Sequence, residues 1–422
     1  MPQGEWSIEK LVPGGAGMAR LEDGRVGFAP GALPGDVISV ERLREHKSHV
    51  EAERFVLLRG GSERIEPPCL LARQCGGCDW MALPVEAQRR HKLSLLTQAL
   101  ERTGGLRQLG PVALHHAGPE LGYRNRLRFQ IDERGELGFF ARGSNELVVV
   151  ERCLVAAPAL GRALELLRAV TRAQAKALAW FASAELRVAG DGQRPSLRLE
   201  PRAELELASP ASLRLQQALA AHFDVSVAGR AEQRVVQRFA LPENVTLQAP
   251  LEAFIQVNWA VNELLVSAIV AGARARSARS FCDLYAGAGN FTLPLLAAGL
   301  SGVAVEGHSG ALHAARDAAA AQGLAGEFLA EDVGRALTRL ARSGRRFDLV
   351  LLDPPRAGAR GVLEQLVGVT SSAIAYVACD PVTLARDLKW LVARGFELEH
   401  VAAYDMFPQT HHFETLAWLR RR

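Results

Sequence analysis

The chain has 422 residues, of which 48% are hydrophobic and 23% are charged, and its formal net charge is +4. This composition is typical of a soluble globular protein of two or three domains, and so small a net charge does not by itself indicate a nucleic-acid partner. No run of about 18 uncharged apolar residues occurs and the N-terminus lacks the order of a signal peptide, which predicts a cytoplasmic protein with no membrane partner; we expect a monomer.

Residues 1–58 contain five short runs of alternating apolar and polar residues, at 6–11, 17–21, 25–28, 36–42 and 50–58. Clusters of Pro, Gly and Asp separate the runs, as expected for turns between strands. Five short strands in fewer than sixty residues predict a small β-barrel of the OB type. We interpret this barrel as a nucleic-acid-binding domain; a purely structural barrel is the alternative, and the slightly negative charge of the segment favours it.

Four of the six cysteines are grouped in residues 59–245, which we predict to be an α+β middle domain; they are Cys69, Cys75, Cys78 and Cys153. Disulfides are disfavoured in a reducing compartment, so grouped cysteines indicate metal or cluster ligands. Four thiolates suit either zinc or an iron–sulfur cluster. Zinc sites usually contain two C-x-x-C pairs, whereas this set has one pair, one outlier and one remote member, which favours [4Fe–4S].

An amphipathic helix is predicted at residues 84–102, and we expect it to pack on the C-terminal domain. Its basic run at 89–92 is interpreted as a solvated helix face, with contact to phosphate as the alternative. The positive charge excess of the chain lies in the middle domain. Residues 160–245 predict a helix followed by further strands and contain no catalytic pattern.

Residues 123–151 alternate as strands. Arg124, Arg126 and Arg128 are spaced by two and therefore share one face of the sheet. Three cations on one face repel each other unless an anion is near, so RNA backbone is a candidate partner and a solvated face is the alternative.

From about residue 251 apolar strands alternate with helices, and the strands are predicted at 280–285, 301–306, 326–330, 347–352 and 373–378. This alternation predicts a parallel sheet. Two further strands, at 396–404 and 413–420, follow each other without a helix. The predicted fold is therefore α/β, with a class I (Rossmann-like) methyltransferase domain at 246–422 rather than a dehydrogenase domain.

A glycine-containing turn follows the first strand of that domain and includes Gly287 and Gly289, which would allow a cofactor to approach the backbone. The third glycine of a dinucleotide fingerprint is missing, which favours a nucleoside cofactor without a pyrophosphate. Acids follow the next three strands: Glu306, placed for ribose hydroxyls, Asp332, placed for the adenine amino group, and Asp353. Each alone could cap a helix, but together they predict an S-adenosylmethionine site.

Cys379 ends the fifth strand directly before a helix, where the positive helix N-terminus is expected to lower its pKa. The alternative is a buried apolar cysteine, which we expect of Cys282. A thiolate that adds to carbon 6 of uracil makes carbon 5 nucleophilic enough to attack a methyl sulfonium, and a base must then remove the proton from carbon 5. Glu414 is a candidate base whose burial would raise its pKa, and His411 and His412 are competitors.

Together these motifs resemble the RNA uracil-5-methyltransferase family, in particular its 23S rRNA branch with an N-terminal TRAM domain, over nearly the whole chain. The resemblance implies a TRAM domain at 1–58, a [4Fe–4S] cluster on the four grouped cysteines, and Cys379 as the nucleophile of a Cys-Asp-Pro motif. It favours Glu414 over the histidines as the base. The cofactor positions that it implies are Gln256, Tyr285, Asn290, Glu306, Asp332 and Asp353.

The resemblance makes 23S rRNA the expected substrate and tRNA the second candidate. Departures are small: the family often has Phe-Cys-Gly where this chain has Tyr-Ala-Gly at 285–287, and Cys153 lacks a following proline. Three alternatives stay open. A radical S-adenosylmethionine enzyme would need a cluster with an open iron, an amino-group methyltransferase would have no use for Cys379, and a non-catalytic RNA-binding factor would not bind S-adenosylmethionine.

Overall fold

Six short strands form the N-terminal sheet of the computed structural model, which describes residues 4–106, 110–189, 193–203, 209–229 and 235–422. They are β1 (Glu5–Ser7), β2 (Lys10–Leu11), β3 (Gly17–Arg20), β4 (Val26–Ala29), β5 (Val37–Glu45) and β6 (His49–Arg59). Their order is β1-β5-β6-β4-β3-β2. Only Ile8 and Glu9 separate β1 from β2, so the two edge strands belong to one extended run and the sheet is barrel-like. The predicted strands are confirmed, with the first divided in two.

A second sheet and four helices follow. The elements are α1 (Val85–Arg102), β7 (Ala113–His115), β8 (Arg126–Ile131), β9 (Leu137–Phe140), β10 (Leu147–Val149), α2 (Pro158–Arg172), α3 (Ala175–Leu178), β11 (Phe181–Arg187), β12 (Ser196–Pro201), α4 (Pro210–Ala220) and β13 (Asp224–Val227). Strands β8 to β13 form a sheet of order β10-β9-β8-β11-β12-β13. Helices α2 and α4 cover it and bury Leu164, Leu167 and Leu215 in its core.

The C-terminal part alternates strand and helix as predicted. Its elements are β14 (Val236–Leu241), β15 (Val245–Pro250), α5 (Trp259–Ala275), β16 (Ser280–Leu284), α6 (Thr292–Ala297), β17 (Ser301–Glu306), α7 (Ser309–Ala321), β18 (Glu327–Ala330), α8 (Val333–Arg342), β19 (Phe347–Leu352), α9 (Leu363–Val369), β20 (Thr370–Ala378), α10 (Pro381–Ala393), β21 (Phe396–Tyr404) and β22 (Glu414–Arg421). The hairpin of β14 and β15 packs its apolar face on this part of the core.

The large sheet has the order β18-β17-β16-β19-β20-β22-β21-β7. Strands β16 to β20 are mutually parallel and β22 is antiparallel to both of its neighbours, which confirms the predicted parallel set with its antiparallel hairpin. Strand β7 was not predicted; it pairs in parallel with β21 and extends the sheet.

Helices cover both faces of this sheet, which explains why its central strands are almost continuously apolar. One apolar layer is formed with α5, α6 and α7, and the other with α8, α9 and α10. Helix α1 joins the second layer, where Leu96 and Leu100 are fully buried. Cys282 is fully buried in β16, as expected of a core cysteine. No helix within the described ranges is long and apolar enough to cross a membrane.

Candidate active site

A cavity of about 880 Å³, which we call the reaction cavity, lies at the carboxyl ends of β16, β17, β19 and β20. Parallel strands end at one edge of a sheet, so residues that are distant in sequence meet there. The predicted catalytic and cofactor residues that line this cavity are Gln256, Tyr285, Asn290, Glu306, Asp353, Cys379 and Glu414. The structure therefore brings together all the predicted catalytic and cofactor residues except Asp332.

Asp332 is exposed and does not line the reaction cavity. Its side chain caps α8 by accepting a hydrogen bond from the backbone N–H of Arg335 at 3.1 Å. Its charge nevertheless reaches Tyr285, whose pKa is raised by burial and then by Asp332. Asp332 thus lies at the rim of the site in the helix-cap role that was its alternative interpretation.

The turn after β16 is built for close approach to a ligand. Tyr285 has a φ of 63°, which non-glycine residues rarely adopt. Gly289 has a φ of 91°, and a Cβ there would lie 3.1 Å from the Cβ of Ala315. The carboxylate of Glu306 accepts from the backbone N–H of Gly287 at 3.0 Å, which ties the turn to the end of β17.

Two amides add polar groups to the cavity wall. Asn290 exchanges two hydrogen bonds of 2.9 Å with Asn262 of α5. Gln256 is buried, and its Oε1 has no hydrogen-bond partner within the described part of the chain. A buried acceptor that faces a cavity is a fitting contact for a polar ligand. Asn262 was missed by sequence reasoning, although a polar residue within the apolar stripe of α5 was a usable signal.

Asp283, the acid of the first strand of the parallel set, was not among the predicted cofactor residues. It is buried in β16, and the hydroxyl of Thr292 donates to its Oδ2 at 2.5 Å. Burial raises the pKa of Asp283 to about 7, with further contributions from Asp353 and Glu306. The reaction cavity therefore adjoins a carboxyl group that is partly protonated at neutral pH.

Cys379 is half-buried at the end of β20. Burial raises its pKa to about 11, and the neighbouring carboxyl groups of Glu414 and Asp353 raise it further, whereas Arg356 opposes them. The prediction that the helix N-terminus lowers this pKa is therefore wrong. The carboxylate of Asp380 caps α10 by accepting from two backbone N–H groups, at 3.0 and 2.8 Å, so a negative charge already occupies the helix N-terminus.

Glu414 begins β22 and is 5% exposed. Burial raises its pKa well above the usual range and Asp353 adds to this, while Arg356 opposes it. Burial also raises the pKa of Asp353 to about 7. The expected raised pKa of Glu414 is confirmed, and a carboxyl group of this kind can hold a proton at neutral pH.

The two competing histidines differ from Glu414 in their surroundings. His411 is engaged by Asp79, with 2.5 Å between His411 Nδ1 and Asp79 Oδ2, and its backbone N–H donates to the same carboxylate at 3.2 Å. Burial lowers the pKa of His412 to about 4, with help from His411 and Arg356. His412 is therefore neutral at neutral pH.

The barrel-like sheet contributes a wall of the reaction cavity through its turns. The residues involved are Gly14, Gly15, Ala16, Pro30 and Gly31. The indole of Trp80 donates to the carbonyl of Gly15 at 3.0 Å, and a Cβ on Gly15 would lie 2.5 Å from Asp79 Oδ2. Only glycine fits so close an approach, and the barrel surface is thereby continuous with the cavity.

A second cavity, of about 590 Å³, contains the four grouped cysteines, and we call it the cysteine cavity. All four are free thiols. Burial raises the pKa of Cys78 to about 12 and the other three thiols add to the increase, whereas Arg124 lowers it. Within the described ranges no group of three or more His, Cys, Asp and Glu side chains stands in a metal-binding arrangement. The donor chemistry fits a cationic metal or cluster, because the neighbouring thiols raise the pKa of Cys78 and a bound cation would offset this effect.

The three arginines of the predicted basic face also line the cysteine cavity. Arg126 Nη1 lies 3.9 Å from Glu185 Oε1, and its guanidinium lies 5.3 Å from the ring centroid of Phe254. Arg124 lines both cavities, and its guanidinium lies 5.9 Å from the ring centroid of Phe407. The structure thus places thiols and Glu185 near these cations.

The expectation that the basic run at 89–92 is a solvated helix face is wrong for Arg89 and Lys92, whereas Arg90 is exposed. Lys92 is fully buried, and its Nζ lies 2.6 Å from Asp405 Oδ1. Arg89 Nε lies 3.2 Å from Oδ2 of the same carboxylate. The other two side chains of the run pair with Glu63. These acids are remote in sequence, so no local pattern reveals them.

Comparison with known proteins adds independent findings. The model of the family described as tRNA (Uracil-5-)-methyltransferase matches residues 109–422. The 23S rRNA (uracil(1939)-C(5))-methyltransferase of Edwardsiella ictaluri is 34% identical over 420 residues, which cover 96% of this chain and 92% of that protein. The enzyme of the same description from Pectobacterium atrosepticum is 33% identical, with 97% and 92% covered.

A solved structure shares the fold. The tRNA (uracil-54, C5)-methyltransferase of Pyrococcus abyssi, in complex with S-adenosyl-L-homocysteine, aligns with a TM-score of 0.73 at 24% identity. The alignment covers 99% of this chain and 100% of that one. The whole chain therefore shares its fold with that structure, and its C-terminal part has the class I methyltransferase fold that the strand order indicates.

Proposed function

The chain belongs to the tRNA (uracil-5-)-methyltransferase family and is an S-adenosylmethionine-dependent RNA uracil-5-methyltransferase, and we propose that its substrate is a uridine of 23S rRNA. Two relatives that match more than nine-tenths of the chain are described as acting on uracil 1939 of 23S rRNA. The observation that carries the mechanism is that Cys379 and Glu414 line one cavity with the strand-end residues of the cofactor site.

In the proposed reaction the thiolate of Cys379 adds to carbon 6 of the flipped-out uracil. Carbon 5 of the resulting enolate then attacks the methyl group of S-adenosylmethionine, whose methyl–sulfur bond breaks. S-adenosylhomocysteine leaves. Glu414 then removes the proton from carbon 5, and the electron pair of that C–H bond expels the thiolate and restores the 5,6 double bond. In total the uracil ring gains one methyl group at carbon 5 and loses one proton from the same carbon.

Proton handling follows from the charges around the thiol. Cys379 is protonated in the free enzyme, because its pKa is about 11. The methyl donor carries a positive sulfonium, and a cation close to the thiol favours the thiolate. Arg356 acts in the same direction, since it lowers the pKa of both Cys379 and Glu414. The thiolate and an ionised Glu414 are therefore favoured when the donor is bound.

Six residues are proposed to hold S-adenosylmethionine: Gln256, Tyr285, Asn290, Glu306, Asp332 and Asp353. The free acceptor of Gln256 and the carboxylate of Glu306, held at the turn after β16, support this proposal. Asp332 would act from the rim of the site.

We propose that Cys69, Cys75, Cys78 and Cys153 hold a [4Fe–4S] cluster. Their free thiols, shared cavity and mutual effects on pKa support this assignment over four unrelated core cysteines. The arginines that line the cavity would compensate the negative charge of a thiolate-ligated cluster. When bound, the cluster supplies a cross-link between residues 69–78 and the region around Cys153.

The RNA path is proposed to cross the barrel and the reaction cavity. We assign residues 1–58 to a TRAM domain that binds RNA, residues 59–245 to a middle domain, and residues 246–422 to the catalytic domain. Glycines of the barrel turns and Arg142 line the same cavity as Cys379, which supports a continuous binding surface.

The test is covalent trapping with RNA that contains 5-fluorouridine. Fluorine cannot leave as a proton does, so the methylated adduct cannot break down and a denaturation-resistant complex should form on a 23S rRNA fragment. Cys379→Ser should form no complex, and its turnover should fall by at least about a thousandfold. An active wild-type enzyme that yields no complex would contradict the mechanism. Trapping on tRNA but not on the rRNA fragment would assign the enzyme to tRNA.

A further inference from the structure

Helix α1 fixes the segment that leads into β22, residues 405–413, which we call the base loop. Lys92 Nζ donates to Asp405 Oδ1 at 2.6 Å and to the carbonyl of Phe407 at 3.0 Å. Arg89 Nε donates to Asp405 Oδ2 at 3.2 Å. The side chains of Lys92 and Asp405 are fully buried, so this ion pair is screened little by solvent. The start of the base loop is thereby held on the helix.

The middle of the base loop contains a strained residue. Gln409 has a φ of 71°, a left-handed conformation that is unfavourable for a residue with a Cβ. Its backbone N–H donates to Gln88 Oε1 at 2.7 Å, and its carbonyl accepts from the backbone N–H of Trp80 at 3.1 Å. Both main-chain groups are therefore held from outside the loop, which stabilises a conformation that the loop alone disfavours.

Gln88 is matched to this task by its neutral amide. Its Nε2 donates to the carbonyls of Trp80 at 3.1 Å and Leu83 at 2.9 Å, and to Gln409 Oε1 at 3.0 Å. Its Oε1 faces the N–H of Gln409, so the partners fix the orientation of the amide. The side chain is fully buried. Loss of the amide would leave the backbone N–H of Gln409 without the acceptor that Gln88 provides. The carbonyl of Trp80 would still accept from the backbone N–H of Leu83 at 2.9 Å.

We propose that Gln88 is a positioning residue for the base: it holds the left-handed turn at Gln409, and this turn directs Glu414 into the reaction cavity. The inference rests on the proposed function of Glu414. Gln88 does not line the reaction cavity, so it acts through the base loop rather than on the substrate. It serves removal of the carbon 5 proton, whereas attack on carbon 6 depends on Cys379 at the end of β20.

The test uses Gln88→Met, which keeps the length of the side chain and removes its hydrogen bonds. We expect kcat for uridine methylation to fall about tenfold while kcat/KM for RNA stays within about twofold, because the slowed step follows formation of the covalent complex. With 5-fluorouridine RNA, which has no carbon 5 proton for the base to remove, the covalent complex should form at the wild-type rate. With ordinary RNA the complex should accumulate. The matched control is Gln98→Met on the same helix, because the amide of Gln98 donates to Ser94 Oγ at an exposed site.

A second substitution separates positioning from general stability. Glycine adopts a positive φ without strain, so Gln409→Gly in the Gln88→Met background should recover kcat at least about threefold. A role limited to packing α1 would give no recovery, and thermal denaturation verifies that each variant is folded.

Wild-type turnover of Gln88→Met, or equally slow trapping on both RNAs, would overturn the positioning role. If Glu414→Gln turns over at the wild-type rate, Glu414 is not the base. The proposed function of Glu414 then fails, whatever the result for Gln88→Met.

Discussion

The reaction cavity and the cysteine cavity both contain thiols whose pKa is raised by burial, but the neighbours of those thiols differ. In the cysteine cavity Cys78 lies among other thiols and near Arg124. In the reaction cavity Cys379 is a single thiol among carboxyl groups, with Arg356 as the opposing cation. The surroundings of Cys78 favour a cation that several thiols bind together. The surroundings of Cys379 favour a thiol that stays protonated until a cation, such as the sulfonium of the proposed methyl donor, lies beside it.

The place of a cysteine in the fold does not by itself decide its acidity. Cys379 lies at a strand end before a helix, yet Asp380 neutralises the helix N-terminus and burial raises the pKa of the thiol. Buried Cys282 shows the other extreme, since burial also raises its pKa but it lines neither cavity. Both thiols have carboxyl groups and one opposing arginine nearby, so access to the reaction cavity, and not neighbouring charge, separates Cys379 from Cys282.

We expect loss of the proposed base from the reaction cavity to reduce turnover more than loss of a ligand from the cysteine cavity. Glu414→Gln removes the proton acceptor and keeps the size of the side chain, so turnover should fall by about a thousandfold. Attack by Cys379 does not need this base, and a covalent RNA complex should therefore accumulate with ordinary uridine. Quantification of that complex on a denaturing gel, beside a methyl-transfer assay, measures both effects.

A matched control for that experiment is Glu263→Gln on α5. Partial burial also raises the pKa of Glu263. The residue is nevertheless exposed on the surface and lines neither cavity. This variant should keep wild-type turnover. Glu414→Gln could instead turn over slowly, bind RNA weakly and accumulate no complex. Glu414 would then be a structural residue, and the reaction cavity would not differ from the cysteine cavity by containing a base.

Loss of a ligand from the cysteine cavity is expected to have a smaller effect on chemistry and a large effect on metal content. Enzyme purified without oxygen should contain about four iron atoms per chain, as expected for [4Fe–4S]. Cys78→Ser should lose most of the iron and the visible absorbance and should unfold at a lower temperature, because the cross-link is weakened. Elemental analysis and thermal denaturation are the measurements.

Cys282→Ser provides the comparison, since this cysteine is fully buried in β16 and lines neither cavity. Its iron content should equal that of the wild type. One zinc per chain and no iron in the wild type would replace the proposed cluster by a zinc site.

The architecture could be predicted because its signals are local. Each strand of the parallel set was visible as an apolar run, and the rule that such strands end at one edge predicted the residues that share the reaction cavity, with the exception of Asp332. Glu306, Asp353 and Cys379 line it for that reason. The roles that we propose for them go beyond this geometry.

The interactions that hold the site together could not be predicted. Gln88 bonds to Gln409, which lies 321 positions further along the chain, and Lys92 pairs with Asp405 across 313 positions. No periodicity relates residues so far apart, and basic residues on a helix are usually solvated. The short strand β7 was missed for a similar reason, because its partner is β21.

A smaller change is expected in the acidity of the Cys379 thiol itself. Asp353 raises the pKa of Cys379, so Asp353→Asn should lower it by about one unit from about 11. Alkylation of Cys379 by iodoacetamide reports the thiolate fraction and rises with pH, and in the variant the same rise should occur at lower pH. Mass spectrometry of the peptide containing Cys379 isolates this thiol from the others. Asp348→Asn makes the same charge change at the other end of β19, where the carboxylate accepts from the backbone of Arg279, and should leave the curve unchanged. A curve for Asp353→Asn that stays in place or moves to higher pH would mean that Asp353 does not raise the pKa of Cys379, and the contrast between the two cavities would then lose this carboxyl group as a cause of the raised pKa.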